Sequence, residues 1–135
     1  MSVPTFELQI RVAATDIDAL NHVNNVVYVQ YIQDIAVAHW ESAAPDALRS
    51  NVVWVVRRHE IDYLRSAVLG DDLLVTTRAG KHTAATWERL CEIYRVSDNQ
   101  LIVKSKSVWV ALDANTHKLR RINDELLQIF KTKEE

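Results

Sequence analysis

The chain has little of what makes a protein loose, cross-linked or membrane-bound. Two glycines and two prolines in 135 residues leave no room for long flexible linkers or a glycine-rich phosphate loop. Cys91 is the only cysteine, so no disulfide can form within the chain, which fits a reducing compartment. Lying inside a strand-like run, it reads as a buried inert thiol rather than a nucleophile. No apolar run approaches the roughly 20 residues that a membrane helix needs. Met1 to Ile10 lacks the basic start and apolar block of a secretory leader, so a cytoplasmic location is expected. There is no excess of one charge either. A net charge of −2 argues against bulk binding to nucleic acid or an anionic membrane, though a local basic cluster could still hold an anion. No Cys/His cluster has metal-ligand spacing and no Gly-x-Ser-x-Gly elbow occurs, so neither a metal nor a serine nucleophile is expected. His59, His82 and His117 are scattered over different elements.

What is present is an ordinary globular composition, 48% hydrophobic and 25% charged, of a length that suits one domain over 1–135. Phe6, Leu8, Ile10 and Val12 alternate with polar residues and predict a strand over Phe6 to Ala13. From Val26 to Ala43 the period becomes helical. Tyr28, Ile32, Ile35 and His39 share one face, with Val29, Tyr31, Ala36 and Trp40 beside it. Ala43, Ala44 and Pro45 end this helix. Val52 to Ser66, Leu73 to Arg78, Trp87 to Val96 and Leu101 to Leu112 read as strands. Turns are expected at Gly70-Asp71-Asp72, Gly80-Lys81-His82 and Ser97-Asp98-Asn99, giving an antiparallel meander. Arg57 and Arg58, adjacent on a strand, are expected on opposite faces. Asn123 opens a short helix from Asp124 to Lys131, with Lys131 and Lys133 near its negative end. The class is α+β: one long helix wrapped by a curved antiparallel sheet of about five strands. The outer sheet face carries Val and Trp as well as charges, so oligomer contacts are expected there.

Thr15 to Tyr28 is the most informative stretch. Asp16 and Asp18 alternate, then Asn21, His22, Asn24 and Asn25 form a polar knot, and the long helix begins. Asn and Asp side chains accept bonds from orphan backbone N–H groups, so the stretch reads as a strand end, an irregular loop and a helix start. Capping alone would explain such residues. A carboxylate beside the free N–H groups of a helix N-terminus is also one way to build a hydrolytic site.

The segment Asp-x-Asp-x-x-Asn-His-Val-Asn-Asn-x-x-Tyr and the order of elements resemble hotdog-fold acyl-CoA thioesterases of the 4-hydroxybenzoyl-CoA thioesterase type. Tyr63-x-x-Ser66-Ala67-x-x-Gly70-Asp71-x-Leu73 extends the resemblance, although Arg65-Ser66-Ala67 lacks the usual proline of that turn. The likeness runs from about residue 5 to 122. It implies a hotdog fold and hydrolysis of an acyl-CoA thioester without a cofactor. Asp18 would be the catalytic acid, as base or nucleophile, and Asp16 a loop or capping residue. The backbone N–H at Asn25 would hold the oxyanion, with Asn24 and Val26 as near neighbours. His22, Asn24 and Tyr28 would contact substrate. Lys81, His82, Arg120 and Arg121 would meet the phosphates of coenzyme A. The resemblance also implies a homodimer, with possible pairing into a homotetramer, and sites between subunits. At helical spacing, Tyr28, Tyr31 and Trp40 fit core packing better than an acyl pocket. Two other functions stay open: a hotdog hydratase or dehydratase pairing Asp18 with His22, and a non-catalytic acyl-CoA binder.

Overall fold

The structure, a computed structural model, describes residues 5–130. Five strands form one antiparallel sheet in the order β1-β3-β4-β5-β2. They are β1 (Phe6–Arg11), β2 (Val52–Tyr63), β3 (Asp72–His82), β4 (Thr86–Arg95) and β5 (Gln100–Asp113). The long helix α1 (Asn25–Ala43) packs on one face. A short α2 (Asp46–Arg49) follows it, and α3 (Asp124–Ile129) closes the described chain. The expected α+β class is observed.

The helical period puts Tyr28, Ile32, Ile35 and His39 inside, each under a tenth exposed. Tyr28, Ile32 and Ile35 meet the alternate residues Leu73, Val75, Ile93 and Val103 of the sheet, all fully buried. Burying one such aliphatic side chain contributes about 1.5–3 kcal/mol. A second apolar cluster lies at the C-terminal end of α1, where Trp87, Ala111, Leu126 and Phe130 gather beside Trp40 and Trp54. Thr77, Ser105, Ser107 and His39 are buried polar residues among these apolar ones.

Four expectations are corrected. First, Gly80, Lys81 and His82 are not a turn but the end of β3. A register shift between Ala79 and His82 absorbs Gly80, whose missing Cβ would sit 3.3 Å from that of Glu88, and the hairpin turns at 83–85 instead. Second, the strands are not a simple meander, because β2 pairs with β5. The 64–71 segment cannot fold back on β2, since the loop before α1 claims it. Val23 N–H donates to the Ala67 carbonyl (2.9 Å), Ala67 N–H donates to Tyr28 Oη (3.2 Å), and Arg95 Nη1 donates to the Ser66 carbonyl (3.0 Å). Third, a register shift between Val56 and Arg58 breaks the alternation of β2, and both Arg57 and Arg58 are exposed. The fourth concerns strand lengths: β1 stops at Arg11, and β3 runs four residues past Arg78. Asn123 does cap α3, accepting from Leu126 N–H at 3.1 Å, whereas Lys131 and Lys133 lie outside the described residues.

Candidate active site

The two ends of the sheet carry different parts. At one end, Arg11, Asp72, Arg95 and Tyr63 finish their strands near the loop that precedes α1. At the other lie Val52, His82, Thr86 and Asp113.

The loop end is built from side-chain caps. Asp16 closes a single 3-10 turn, Ala14–Asp16, by accepting the Ala13 N–H on Oδ2 at 3.0 Å. The same oxygen accepts the Tyr31 hydroxyl at 3.1 Å. Burial, then the Asp16 bond, pushes the Tyr31 pKa up, so the phenol stays a donor. Asp18 does something different. Its Oδ1 accepts Leu20 N–H at 2.9 Å and His22 N–H at 3.3 Å, while its own N–H donates to the His22 carbonyl at 2.8 Å. Asn21, at φ +63°, makes the sharp bend that lets the chain return, a conformation Asn tolerates better than most residues. Asp18 Oδ2 has no hydrogen-bond partner among the described residues.

The start of α1 supplies the complementary group. Asn24 N–H donates to the Asp16 carbonyl at 2.9 Å. Val26 N–H is taken by the Asn24 side chain at 3.0 Å, and Val27 N–H by the Asn24 carbonyl at 2.8 Å. Asn25 N–H has no partner among the described residues, and it sits at the positive end of a 19-residue helix. Asp18, His22, Asn24, Asn25 and Tyr28 line one cleft of about 370 Å³, whose far wall is Tyr63 to Ser66. The sequence pattern grouped the first five. It did not place the wall at the site, although Tyr63 and Ser66 belong to the second resembling stretch. Tyr63 Oη lies 3.5 Å from the Asn25 carbonyl, and Arg65 is the arginine among the residues lining this cleft.

Lys81, His82, Arg120 and Arg121 are not at this cleft. The first two are exposed at the end of β3, and the arginines follow β5. Ile122 N–H donates to the Ala84 carbonyl, so both basic groups share the hairpin end of the sheet. Within the chain they stand at the opposite end from Asp18. Cys91 is buried, and burial pushes its thiol up to about 12, which leaves it protonated and inert.

A long helix packed on a five-stranded antiparallel sheet is the arrangement of the hotdog-fold thioesterases. Residues 4–130 match the family model described as the acyl-ACP thioesterase N-terminal domain, and the chain belongs to that family. Long-chain acyl-CoA thioesterase FadM of Escherichia coli is 26% identical over 125 residues, 89% of this chain and 92% of that protein. Acyl-[acyl-carrier-protein] hydrolase FATB3, chloroplastic, of Cuphea viscosissima is 26% identical over 84 residues. That match covers 62% of this chain but 20% of the plant protein. The chain therefore spans only a small part of its chloroplast relatives and nearly all of FadM. A thioesterase of Thermus thermophilus, solved with coenzyme A and zinc, superposes with a TM-score of 0.79 at 24% identity over 91% of this chain and 89% of that one. No helix among the described residues is long and apolar enough to cross a membrane.

Proposed function

We propose that the chain is a thioester hydrolase acting on an acyl-CoA or acyl-carrier-protein thioester, with Asp18 as its reacting carboxylate. One observation carries the reading. A carboxylate with one oxygen held by two N–H groups and the other free shares a cleft with the unpartnered N–H of a helix start. A thioester is electrophilic enough to be hydrolysed without a triad. As base, Asp18 Oδ2 takes a proton from water as the water oxygen bonds to the carbonyl carbon. As nucleophile, it bonds to that carbon itself, and water later opens the anhydride. In both routes the carbonyl oxygen becomes an oxyanion opposite Asn25 N–H, and collapse breaks the C–S bond. A well-placed oxyanion donor is worth about two to three orders of magnitude in rate. Asp18 meets His22 through backbone N–H rather than the ring, which disfavours the hydratase reading.

The test is release of free thiol from a panel of acyl-CoA and acyl-carrier-protein esters that includes 4-hydroxybenzoyl-CoA. Turnover of at least one ester is expected. A well-folded protein that binds these esters and releases no thiol from any would leave only the binder reading.

The active form is a homodimer. The sheet has two open edges, β1 and β2, and β2 is a 12-residue strand with exposed Val53 and Val55. Such edges invite pairing. Antiparallel pairing of β2 with its copy would set the Tyr63 end of one protomer opposite the Val52 end of the other. It would thereby carry the partner's Lys81 and Arg120 toward the Asp18 cleft. Sedimentation is expected to show no folded monomer at micromolar concentration, and a folded, active monomer would contradict this arrangement.

If those cations hold the coenzyme A phosphates, the pair Lys81→Ala with Arg120→Ala will raise KM and leave kcat nearly unchanged, as loss of uniform binding does. Added salt will weaken the wild type in the same way. A pantetheine thioester, which lacks the nucleotide, will be indifferent to both. Loss of kcat on both substrates would instead assign these residues to the fold.

A further inference from the structure

A second cavity, of about 140 Å³, lies toward the hairpin end, between the C-terminal half of α1 and the sheet. Its size is close to that of an engineered apolar cavity of about 150 Å³ that takes benzene. The walls are Trp40, Trp54, Trp87, Trp109 and Phe130, and Arg89 reaches in among them from β4. None of these residues belongs to the Asp18 cleft.

Arg89 is an odd resident. Burial pulls its pKa down to about 10, which still leaves it charged at neutral pH. No carboxylate among the described residues forms an ion pair with it. Its Nη1 donates to His39 Nδ1 at 2.9 Å and to Thr77 Oγ1 at 3.2 Å. Its Nε and Nη2 donate to nothing among the described residues, and the guanidinium carbon stands 4.9 Å from the Phe130 ring centre. Trp109 Nε1–H is buried and also lacks an acceptor. Glu88 lines the cavity too, but its carboxylate lies 4.0 Å from Lys106. Buried charges are normally paired and buried N–H groups normally bonded. Here a half-buried cation with no carboxylate partner reaches a void walled by aromatic rings.

We propose that this cavity binds a small organic carboxylate with a flat apolar body, the carboxylate on the Arg89 guanidinium and the body among the indoles. A guanidinium presents parallel donors that match a carboxylate. Inorganic phosphate is a poorer occupant, because it would shed tightly held water and gain nothing from aromatic walls. Acids of this size are also what hydrolysis of a short or aromatic acyl thioester releases. That link rests on the thioesterase reading, whereas binding itself does not.

All four tryptophans of the chain line this cavity, so intrinsic tryptophan fluorescence reports on it directly. The probes are benzoate, benzamide and inorganic phosphate. Benzoate is expected to give a saturable change, benzamide to bind about tenfold more weakly or worse, the scale of one lost charged hydrogen bond, and phosphate to give none. Arg89→Met should bring benzoate down to the level of benzamide. Should that variant fail to fold, Val37→Phe decides the matter. Val37 is half-exposed at the cavity, so a larger ring there narrows it without removing a core contact. It should weaken benzoate by a similar factor with Arg89 intact. Asp18→Asn should leave benzoate binding unchanged, which separates this site from the catalytic one. Equal affinity for benzoate and benzamide in the wild type would overturn the proposal. So would benzoate binding indifferent to either folded cavity variant.

Discussion

Asp18→Asn is expected to lower thioester hydrolysis by about a hundredfold or more, the range for a lost acid–base or nucleophilic group, while the protein stays folded. The substitution is chosen for what it keeps. The amide oxygen can still accept Leu20 N–H and His22 N–H, so the loop retains its shape. What disappears is the negative charge and the basicity of the free oxygen. Asp16→Asn is the matched control. Its Oδ2 is committed to Ala13 N–H and the Tyr31 hydroxyl, so its loss should appear mainly in stability. Steady-state kinetics with denaturation curves on both variants check this. Wild-type turnover in a folded Asp18→Asn protein would sink the mechanism, and exchanged phenotypes would move the reacting carboxylate to Asp16.

Acidification between pH 7 and pH 5 is expected to cost about 1–2 kcal/mol of stability through His39 alone, after allowance for partial solvent access. Its ring nitrogen faces a guanidinium that can only donate, so Nδ1 must accept and the ring must be neutral. Burial chiefly, and the Arg89 charge second, lower its pKa from 6.5 to about 4. The sign follows from proton counting. Between those two values the unfolded chain binds a proton that the folded chain refuses, so stability falls as pH falls. The contribution is complete above about pH 6.5 and gone below about pH 4. Asp72, Asp98 and Asp113, whose pKa values are lowered from 3.8, lose their contributions at lower pH than this window. His39→Gln keeps an acceptor for Arg89 but has no titrating group. Urea denaturation at the two pH values should show the slope in the wild type and a much flatter one in His39→Gln. Equal slopes would remove His39 as the cause.

Much of the architecture was legible because period and burial are the same fact seen twice. The apolar positions of α1 that share a face in the sequence are the ones the sheet covers. Asn24 and Asn123 were legible as caps because a short amide beside a helix start has few other uses. Strand adjacency was not. Nothing in Val52 to Tyr63 says that its partner is β5, since pairing across 40 or more residues leaves no local mark. Gly80 looked like a turn because glycine marks both turns and bulges, and only the close approach of Glu88 distinguishes them.

From its residues alone, then, the chain shows the helix, five strand segments and the acid-and-asparagine loop, because each is specified by neighbours in sequence. The spent and unspent N–H groups at the start of α1 could be counted only once the loop had folded back onto Ala67 and Asp16. The distance between Asp18 and the basic residues at the other end of the sheet also needed the fold, because it depends on which strand runs which way. Arg89 belongs to the same group. A lone arginine in an alternating strand carries no sign that it will end unpaired among four tryptophans drawn from α1, β2, β4 and β5. That arrangement arises from long-range packing, where residues far apart in the chain are forced to share one interior.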